Sequence, residues 1–439
     1  MSSLLLNKND QEVLCSRFNQ LLEHVKSNFQ FYKDYYQHIE HPIDSLEDLK
    51  HFPLIDKNVP NISVLVNEVL ETNPPSYFET SGTSGNPFPV IPDLGPERGG
   101  EFANFIFDWL NLDKDEVKRA IIALPFEMNP IGIKYFAGLT KAGITAIPAG
   151  VKTLVCMPQK VIELIERLKP ELLIGRPLET LRYAQAMTEQ GIDPCKSSIK
   201  KIILTGEIIS KTKFQRLSKV YGGASVHGVY GLTELDSGGL VSCSKHNYHL
   251  PSNPYLIVEL LKDDFKTPVT QENEIGNIVL TNTNVNYMPL LRYKTGDFGM
   301  LQHHCGCEYD TPVIHVLGRA ADKIYCPKNK LSVFPIQIEE ILFQFEEIGC
   351  DYQIISKNDQ IEIKIELNSI LTDDKKNELI KVVKEKIKQQ LNIDIEKVTI
   401  YNPNALASKL GVAKAKAGTL YKIDNLSESE IAERLQINF

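Results

Sequence analysis

A short loop rich in hydroxyls and glycines is the first feature of the sequence that could do chemistry. Residues 80–87 read Thr-Ser-Gly-Thr-Ser-Gly-Asn-Pro. Gly82 and Gly85 permit the dihedral angles that turn successive backbone N–H groups inward, which makes an anion-binding nest. The stretch lacks the Gly-Lys-Ser/Thr of a Walker loop and the Gly-x-Gly-x-x-Gly of a dinucleotide fold. It is equally typical of a polar surface loop, so other segments must decide between the two interpretations.

A second set of residues could bind a metal. Its donors are Cys243, His249, Cys305 and Cys307. Three thiolates and one imidazole would complete a tetrahedral structural zinc site. The spacing is not that of a standard zinc finger, and three other histidines could replace His249: His246, His303 and His304. The alternative is four unrelated residues, because free cysteine is a common small core residue.

Four further motifs follow in order along the chain. They are Thr205-Gly206-Glu207, Tyr230-Gly231-Leu232-Thr233-Glu234, Tyr293-Lys294-Thr295-Gly296-Asp297 and Gly318-Arg319-Ala320-Ala321-Asp322. Any one of them could be an ordinary turn. Together, and behind the residue 80–87 loop, they resemble the signature motifs of the adenylate-forming enzymes, the acyl-CoA synthetase superfamily.

The resemblance narrows to the phenylacetate–coenzyme A ligase branch, which is short within the superfamily. Its N-terminal helix ends in an aromatic stretch similar to residues 29–32, and a proline-containing segment like residues 52–57 follows. The branch also carries a Cys-x-Cys-Gly element that residues 305–307 nearly match, and some members hold a metal at a site of this kind. The likeness covers nearly the whole chain and is strongest from Thr80 to Ile324.

The resemblance implies an enzyme that uses ATP and Mg²⁺ to activate a carboxylic acid as an acyl adenylate and then passes the acyl group to a thiol. It implies a nucleotide site made of Thr80, Ser81, Gly82, Thr83, Ser84, Gly85, Gly206, Glu207, Tyr230, Gly231, Thr233, Asp297 and Arg319. Within this set, the 80–85 loop would hold the β- and γ-phosphates. Tyr230 would stack on adenine, with Gly206 and Glu207 forming part of the wall.

The same resemblance assigns the residues of the chemical step. Thr233 would contact the α-phosphate, and Glu234 would bind Mg²⁺, a hard cation that prefers carboxylate oxygen. Asp297 would accept hydrogen bonds from the ribose hydroxyls, which suits an ionised carboxylate. Arg319 would approach the ribose and phosphate. Asp322 would be the hinge about which a small C-terminal domain rotates.

Two lysines that the resemblance leads us to expect are missing. Asn86 stands before the loop proline, where the family often has lysine. Thr419 stands where the family has the lysine that approaches the α-phosphate during adenylation. Losing a cation there costs on the order of a few kcal/mol of transition-state stabilisation. We therefore expect Lys416 or Lys414 to compensate and count Lys416 as catalytic; the rival hypothesis is a catalytically weakened nucleotide-binding homologue.

The sequence says less about which carboxylic acid is activated and which acceptor receives the acyl group. Tyr135 and Phe136 fall where the branch places aromatic residues near the acyl pocket, which predicts a planar aromatic acid. Two aromatic residues on a helix are equally typical of a core. Coenzyme A is the default acceptor, and a pantetheine-bearing acyl-carrier protein or an amine are the alternatives.

The elements that must position these residues follow from apolar periodicity. Short apolar runs at 120–124, 172–174 and 201–204 predict buried strands, and residues 10–38 and 161–168 predict helices. This alternation indicates an α/β fold with parallel or mixed sheets flanked by helices. Beyond residue 325 the pattern changes to an α+β unit with helices at 337–345 and 373–390 and strands at 352–356, 360–367 and 398–401. We expect a large domain over residues 1–321 and a small mobile domain over residues 322–439.

Composition excludes several classes of protein. The 439 residues are 42% hydrophobic and 24% charged, as in globular chains of two or three domains. A net charge of −8 argues against a nucleic-acid partner, and eight cysteines are too few for a disulfide scaffold. The N-terminus lacks a signal peptide's basic flank, and no apolar run approaches the ~18 residues of a membrane span. We expect a cytoplasmic enzyme without a membrane partner, and a homodimer is left open.

Overall fold

A computed structural model of the chain describes residues 8–422, except residues 40, 81–86, 96–100, 114, 152, 154, 236–238, 250–254, 286, 310, 327, 358–359 and 407–418. The chain divides into two compact units. The first comprises residues 1–176, 186–206 and 221–316. The second comprises residues 177–185, 207–220 and 317–439.

The described residues form the following helices: α1 (Lys8–Asn28), α2 (Gln30–Tyr35), α3 (Ile62–Glu71), α4 (Glu101–Trp109), α5 (Ile131–Lys141), α6 (Pro158–Leu168), α7 (Pro177–Glu189), α8 (Lys211–Val220), α9 (Pro335–Leu342) and α10 (Asp373–Leu391). Four 3-10 turns lie at Leu46–His51, Pro194–Lys196, Thr233–Leu235 and Ala320–Asp322. None of the helices in the described part of the chain combines the length and apolar character that a bilayer crossing requires.

The strands are β1 (Phe78–Glu79), β2 (Pro89–Val90), β3 (Arg119–Ala123), β4 (Thr145–Pro148), β5 (Leu172–Gly175), β6 (Lys201–Thr205), β7 (Ser225–Tyr230), β8 (Leu240–Ser242), β9 (Tyr248–His249), β10 (Leu256–Leu261), β11 (Ile275–Asn282), β12 (Tyr293–Gln302), β13 (Val313–Arg319), β14 (Ile324–Cys326), β15 (Leu331–Val333), β16 (Ile348–Lys357), β17 (Gln360–Leu367), β18 (Lys397–Tyr401) and β19 (Thr419–Lys422).

An eleven-stranded mixed sheet forms the centre of the first unit. Its strand order is β10-β11-β12-β13-β9-β8-β7-β6-β5-β3-β4. From β4 to β7 the neighbours are parallel, and at β7 the pairing changes to antiparallel with β8. Strands β3, β5 and β6 are buried along nearly their whole length, as expected for parallel strands covered on both faces.

Helices α4 and α5 pack into the core beside the parallel strands. Ile106 and Phe107 of α4, and Tyr135 and Leu139 of α5, belong to the same buried cluster as Ile122 of β3. The rings of Phe107 and Tyr135 lie 6.3 Å apart, centroid to centroid. The two helices therefore share one apolar layer.

The second unit contains a four-stranded sheet of order β18-β17-β16-β19 and the separate β14-β15 hairpin. Helix α10 buries Leu379, Val383 and Ile387 at steps of four residues, which gives it one apolar face. A buried ion pair also lies in this unit, with 2.6 Å between Lys213 Nζ and Glu339 Oε2.

The predicted fold class is confirmed, because a large mixed sheet with flanking helices precedes a smaller α+β sheet. The paired strands expected at 352–356 and 360–367 are β16 and β17.

The prediction of a single helix over residues 10–38 is wrong. Phe29, with φ −121° and ψ 122°, leaves the helical region and separates α1 from α2, and its side chain is buried. The second unit includes residues 177–185 and 207–220; the boundary at residue 321 and the hinge at Asp322 stay predictions.

Candidate active site and metal centre

Thr80 closes the base of the predicted phosphate loop. Its N–H donates to the Phe88 carbonyl, and the Phe88 N–H donates to Thr80 Oγ1, both at 2.9 Å. This reciprocal pair continues the two-stranded β1-β2 hairpin. The rest of the predicted loop, Ser81, Gly82, Thr83, Ser84 and Gly85, lies outside the described residues.

Glu234, the predicted magnesium ligand, lies next to a lysine. Lys57 Nζ is 3.2 Å from Glu234 Oε1 and donates to Thr80 Oγ1 at 3.3 Å. The Tyr293 hydroxyl also donates to Glu234 Oε1 at 3.3 Å. Glu234 belongs to the 3-10 turn that follows β7, where Thr233 is its neighbour. The structure thus brings Thr80 and Glu234 together through Lys57, to which sequence analysis gave no role.

Lys57 owes its position to a short parallel bridge between Ile55 and Tyr293 on β12. The Ile55 N–H donates to the Arg292 carbonyl at 3.1 Å, and the Lys294 N–H donates to the Ile55 carbonyl at 2.8 Å. Lys57, two residues further along the chain, therefore lies beside β12.

Arg292 fixes this junction from within the core. Its guanidinium is 1% exposed and donates from Nε and Nη2 to the two carboxylate oxygens of Glu259, at 2.9 and 2.8 Å. Nη1 donates to the Phe52 carbonyl. Burial raises the pKa of Glu259, and the adjacent Arg292 opposes that rise. The pair therefore ties the segment before Lys57 to the central sheet.

Tyr230 and Asp297, assigned to adenine and ribose, contact each other directly. The Tyr230 hydroxyl donates to Asp297 Oδ2 at 2.7 Å. Asp297 is buried, with 5% of its surface exposed, and its N–H donates to Thr295 Oγ1 at 3.0 Å. Gly296 between them has φ +77°, a left-handed conformation that glycine adopts without strain. The Thr-Gly-Asp motif thus turns the Asp297 carboxylate toward the end of β7.

The remaining predicted nucleotide residues lie in turns. Gly206 follows β6 with φ +85°, and Gly231 directly follows β7. In the second unit, Glu207 Oε2 accepts a bond of 3.4 Å from the Leu178 N–H. Arg319 ends β13 there, and Asp322 ends the next 3-10 turn.

Of the C-terminal residues assigned to adenylation, two lysines lie outside the described part of the chain. Lys414 and Lys416 both lie there. The backbone of Thr419 begins β19, which runs parallel to β16 with Thr419 opposite Gln353. The role assigned to Lys416 stays a prediction.

The two predicted acyl-pocket residues differ in environment. Tyr135 is fully buried in the core cluster of α4 and α5. Phe136, the next residue on α5, is 37% exposed. Of the two, Phe136 is the one whose ring can meet a substrate from solvent.

The predicted metal ligands converge. One donor atom from each of Cys243, His249, Cys305 and Cys307 can be chosen so that all four lie within 4.8 Å of one another. His249 Nε2 lies 3.2 Å from both Cys305 Sγ and Cys307 Sγ. Cys243 Sγ lies 3.8 Å from Cys305 Sγ. His303, one of the alternatives to His249, contacts Thr270 and Glu272 instead.

The chemistry of this cluster fits a divalent metal. His249 Nδ1 lies 3.0 Å from the Thr311 carbonyl oxygen, which selects the tautomer that leaves Nε2 free to ligate. Burial lowers the pKa of His249, which favours the neutral imidazole that metals bind. Burial and the Cys305 thiol raise the pKa of Cys307 to about 12. A bound cation would offset the energetic cost of forming the thiolate, because metal binding displaces thiol protons.

The chain is similar in sequence to known proteins. Residues 331–417 match the family model of the AMP-binding enzyme C-terminal domain. A phenylacetate-coenzyme A ligase from Thermus thermophilus is 26% identical over 54% of this chain and 53% of its own length. That of Escherichia coli is 22% identical over 92% of this chain and 93% of its own length. The chain is therefore similar to phenylacetate-coenzyme A ligases over most of its length, and its C-terminal part matches the C-terminal domain of AMP-binding enzymes.

The solved structures agree on the fold. A crystal structure of 2-hydroxyisobutyryl-CoA ligase in its post-adenylation state superposes on this chain with a TM-score of 0.79. The match covers 99% of this chain and 94% of that one at 17% identity. At this identity the match shows that the two proteins share a fold.

Sequence analysis gave no role to three residues that lie at these sites: Lys57, Arg292 and Tyr309, whose ring centroid is 5.5 Å from that of His249. Lys57 lies in the proline-containing segment that carried part of the resemblance, and Arg292 immediately precedes the Tyr293–Asp297 motif. Tyr309 lies two residues after Cys307. Proximity to a motif was the only available signal, since the contacts join segments far apart in the chain.

Proposed function

We propose that the protein activates an aromatic carboxylic acid with ATP and transfers the acyl group to coenzyme A. The observation that carries the proposal is the hydrogen bond between Tyr230 and Asp297. Asp297 lies on β12, and the same strand carries Tyr293, whose hydroxyl contacts Glu234. A nucleoside and its phosphates need an aromatic face, a ribose acceptor and a carboxylate for Mg²⁺, and this part of the first unit offers all three.

The nucleotide would be held through its ribose and adenine. Asp297 is buried and receives the Tyr230 hydroxyl, so both side chains are oriented before ATP arrives. Preorganisation of this kind lowers the entropy cost of binding. An ionised carboxylate makes stronger hydrogen bonds to hydroxyl groups than a neutral acceptor does.

The triphosphate would lie between Glu234 and the residue 80–85 loop. Glu234 would hold Mg²⁺, which supplies positive charge to the phosphates. Lys57 contacts both Glu234 and Thr80, and it would face the phosphates once Glu234 binds the metal. This lysine supports adenylation despite Asn86, since it brings a cation to the loop from another segment.

The chemistry then takes two steps. A carboxylate oxygen of the acid attacks the α-phosphorus of ATP, and pyrophosphate leaves with the electrons of the broken P–O bond. The thiolate of coenzyme A next attacks the acyl carbon, and AMP leaves. The residues assigned here act by positioning and by charge stabilisation, with Thr233, Arg319 and Lys416 expected at the α-phosphate.

The acid would lie against α5. Phe136 is the partly exposed aromatic residue of that helix, and a planar ring would suit a phenyl or related group. The relatives named as phenylacetate ligases support the same class of acid. Tyr135 would shape the pocket from behind, because its ring lies in the shared core.

The Cys243–His249–Cys305–Cys307 cluster would hold a structural Zn²⁺. Four protein ligands complete its tetrahedral shell and leave no position for substrate. Its task would be to join the loops that follow β8 and β12.

The deciding experiment is acid-dependent ATP–pyrophosphate exchange with phenylacetate, benzoate, 2-hydroxyisobutyrate and acetate, beside the Asp297→Ala variant. Exchange with the aromatic acids is expected. Exchange with only the aliphatic acids would overturn the aromatic assignment. No exchange with any acid, together with retained ATP binding, would favour the weakened nucleotide-binding homologue. Product mass with coenzyme A, a carrier protein or lysine identifies the acceptor.

A further inference from the structure

We propose that Tyr309 couples the metal cluster to helix α4, so that metal binding holds the C-terminal end of this helix in place. The proposal rests on the zinc site of the proposed function. It assigns a positioning role to a residue that contacts neither ATP nor acid in that function, and it links the metal to a helix that provides no ligand.

On one side, Tyr309 contacts the metal ligands. Its N–H donates to Cys307 Sγ at 3.3 Å, a bond that orients the sulfur. Its ring centroid lies 5.5 Å from that of His249. Contacts of this kind around a metal site commonly set ligand geometry and metal affinity.

On the other side, Tyr309 contacts the end of α4. Its ring stacks on Trp109 with 4.2 Å between centroids and an interplanar angle of 19°. Its hydroxyl donates to the Trp109 carbonyl at 2.9 Å. Carbonyl groups in the last turn of a helix lack partners within the helix, so this hydroxyl caps α4 at its final residue.

Helix α4 in turn contributes to the core of the first unit. Phe107, two residues before Trp109, packs near Tyr135 of α5. A metal that fixes Cys307 and His249 therefore fixes Tyr309, and through its stack and hydrogen bond the helix that covers α5. Loss of the metal should release these contacts in the same order.

Trp109 makes the proposal directly measurable, because it is the single tryptophan of the chain. The full-length protein is purified with its metal, treated with a chelator, and then supplied with Zn²⁺. We expect a shift of tryptophan emission to longer wavelength on chelation and its reversal by Zn²⁺. Hydrogen exchange of α4 amides should rise on chelation, while α6, which packs against β3 and provides none of the four candidate ligands, serves as the internal control.

Variants separate the two contacts of Tyr309. Tyr309→Ala removes the stack and the cap and should lower Zn²⁺ affinity by about tenfold, since residues around metal ligands have effects of this size. Tyr309→Phe keeps the stacked ring and should retain most of the wild-type emission while α4 exchange increases. Cys195→Ser changes an exposed thiol outside the cluster and should alter none of these readouts.

The outcomes separate this proposal from the one on which it rests. Protein that neither contains nor binds Zn²⁺ would overturn the zinc site and the coupling together. Bound Zn²⁺ whose removal leaves both the tryptophan emission and the α4 exchange unchanged would overturn the coupling alone. The chelation arm uses the wild-type chain, so it remains decisive even if Tyr309→Ala fails to fold.

Discussion

Lys57 and Glu234 form an ion pair with 3.2 Å between Nζ and Oε1, and the same ammonium donates to Thr80 at the base of the phosphate loop. The pair is largely shielded, with side-chain exposures of 25% and 9%. Lys57 therefore lies at the base of the predicted phosphate loop, in which Asn86 stands where the resemblance leads us to expect lysine.

Replacing Lys57 with Met should slow adenylate formation by tenfold or more, since about 1.4 kcal/mol of lost stabilisation corresponds to a factor of ten. Pyrophosphate exchange across a range of Mg²⁺ concentrations measures the effect. Lys160→Met, on the exposed face of α6, is the matched control. Equal rates for both variants would remove Lys57 from the phosphate site.

Asp297→Ala should weaken ATP use by about tenfold to a hundredfold, because a hydrogen bond to a charged group contributes roughly 1.5–3 kcal/mol. The substitution also removes the acceptor of the Tyr230 hydroxyl. Tyr230→Phe breaks that bond and keeps the carboxylate, so it is the control. A folded Asp297→Ala protein with wild-type exchange kinetics would refute the ribose assignment.

Metal analysis should find close to one zinc per chain in protein purified without chelators. Replacing Cys305 and Cys307 with Ser should lower both the metal content and the melting temperature, because two of four ligands are lost. Cys195→Ser controls for the loss of a thiol as such. A metal-free wild type would contradict the site.

Thr419→Lys should accelerate adenylation by about tenfold if Thr419 occupies the position of the family's lysine. The thioester-forming step should change little, because the resemblance assigns this lysine to adenylation alone. If Lys416 already fills the role, Lys416→Ala should abolish exchange and Thr419→Lys should have no benefit. A chain that stays fully active without Lys414 and Lys416 would show that neither lysine compensates.

Arg292→Ala should destabilise the protein by about 3–5 kcal/mol, because it leaves the Glu259 carboxylate buried without its partner. Chemical denaturation measures the loss. The double change Arg292→Met with Glu259→Leu removes both charges and should recover much of the stability. A double variant as unstable as the single one would show that the pair contributes more than mutual neutralisation.

The parts that could be predicted share a chemical or periodic signature. The parallel strands are runs of buried aliphatic residues such as Ile121-Ile122, and the Cys243–His249–Cys305–Cys307 cluster combines the thiol and imidazole groups that bind zinc in proteins. Lys57 and Arg292 carry no such signature. Their roles arise because residues 52–57 lie beside β12, and a pairing between segments this distant cannot be read from local pattern. The break at Phe29 was missed for a related reason, since tertiary burial overrode the helical periodicity.

The closeness of the thiols would also make the proposed metal centre sensitive to oxidation. The cysteines of the described residues form no disulfide, and the sulfurs of Cys243 and Cys305 lie 3.8 Å apart. An oxidant that joins this pair as a disulfide withdraws two ligands at once, and a metal left with Cys307 and His249 dissociates readily. Thiolates bound to metal are in turn less available to oxidants. A preparation that had been oxidised would then contain less zinc. The disulfide would have to be reduced before added Zn²⁺ could bind again.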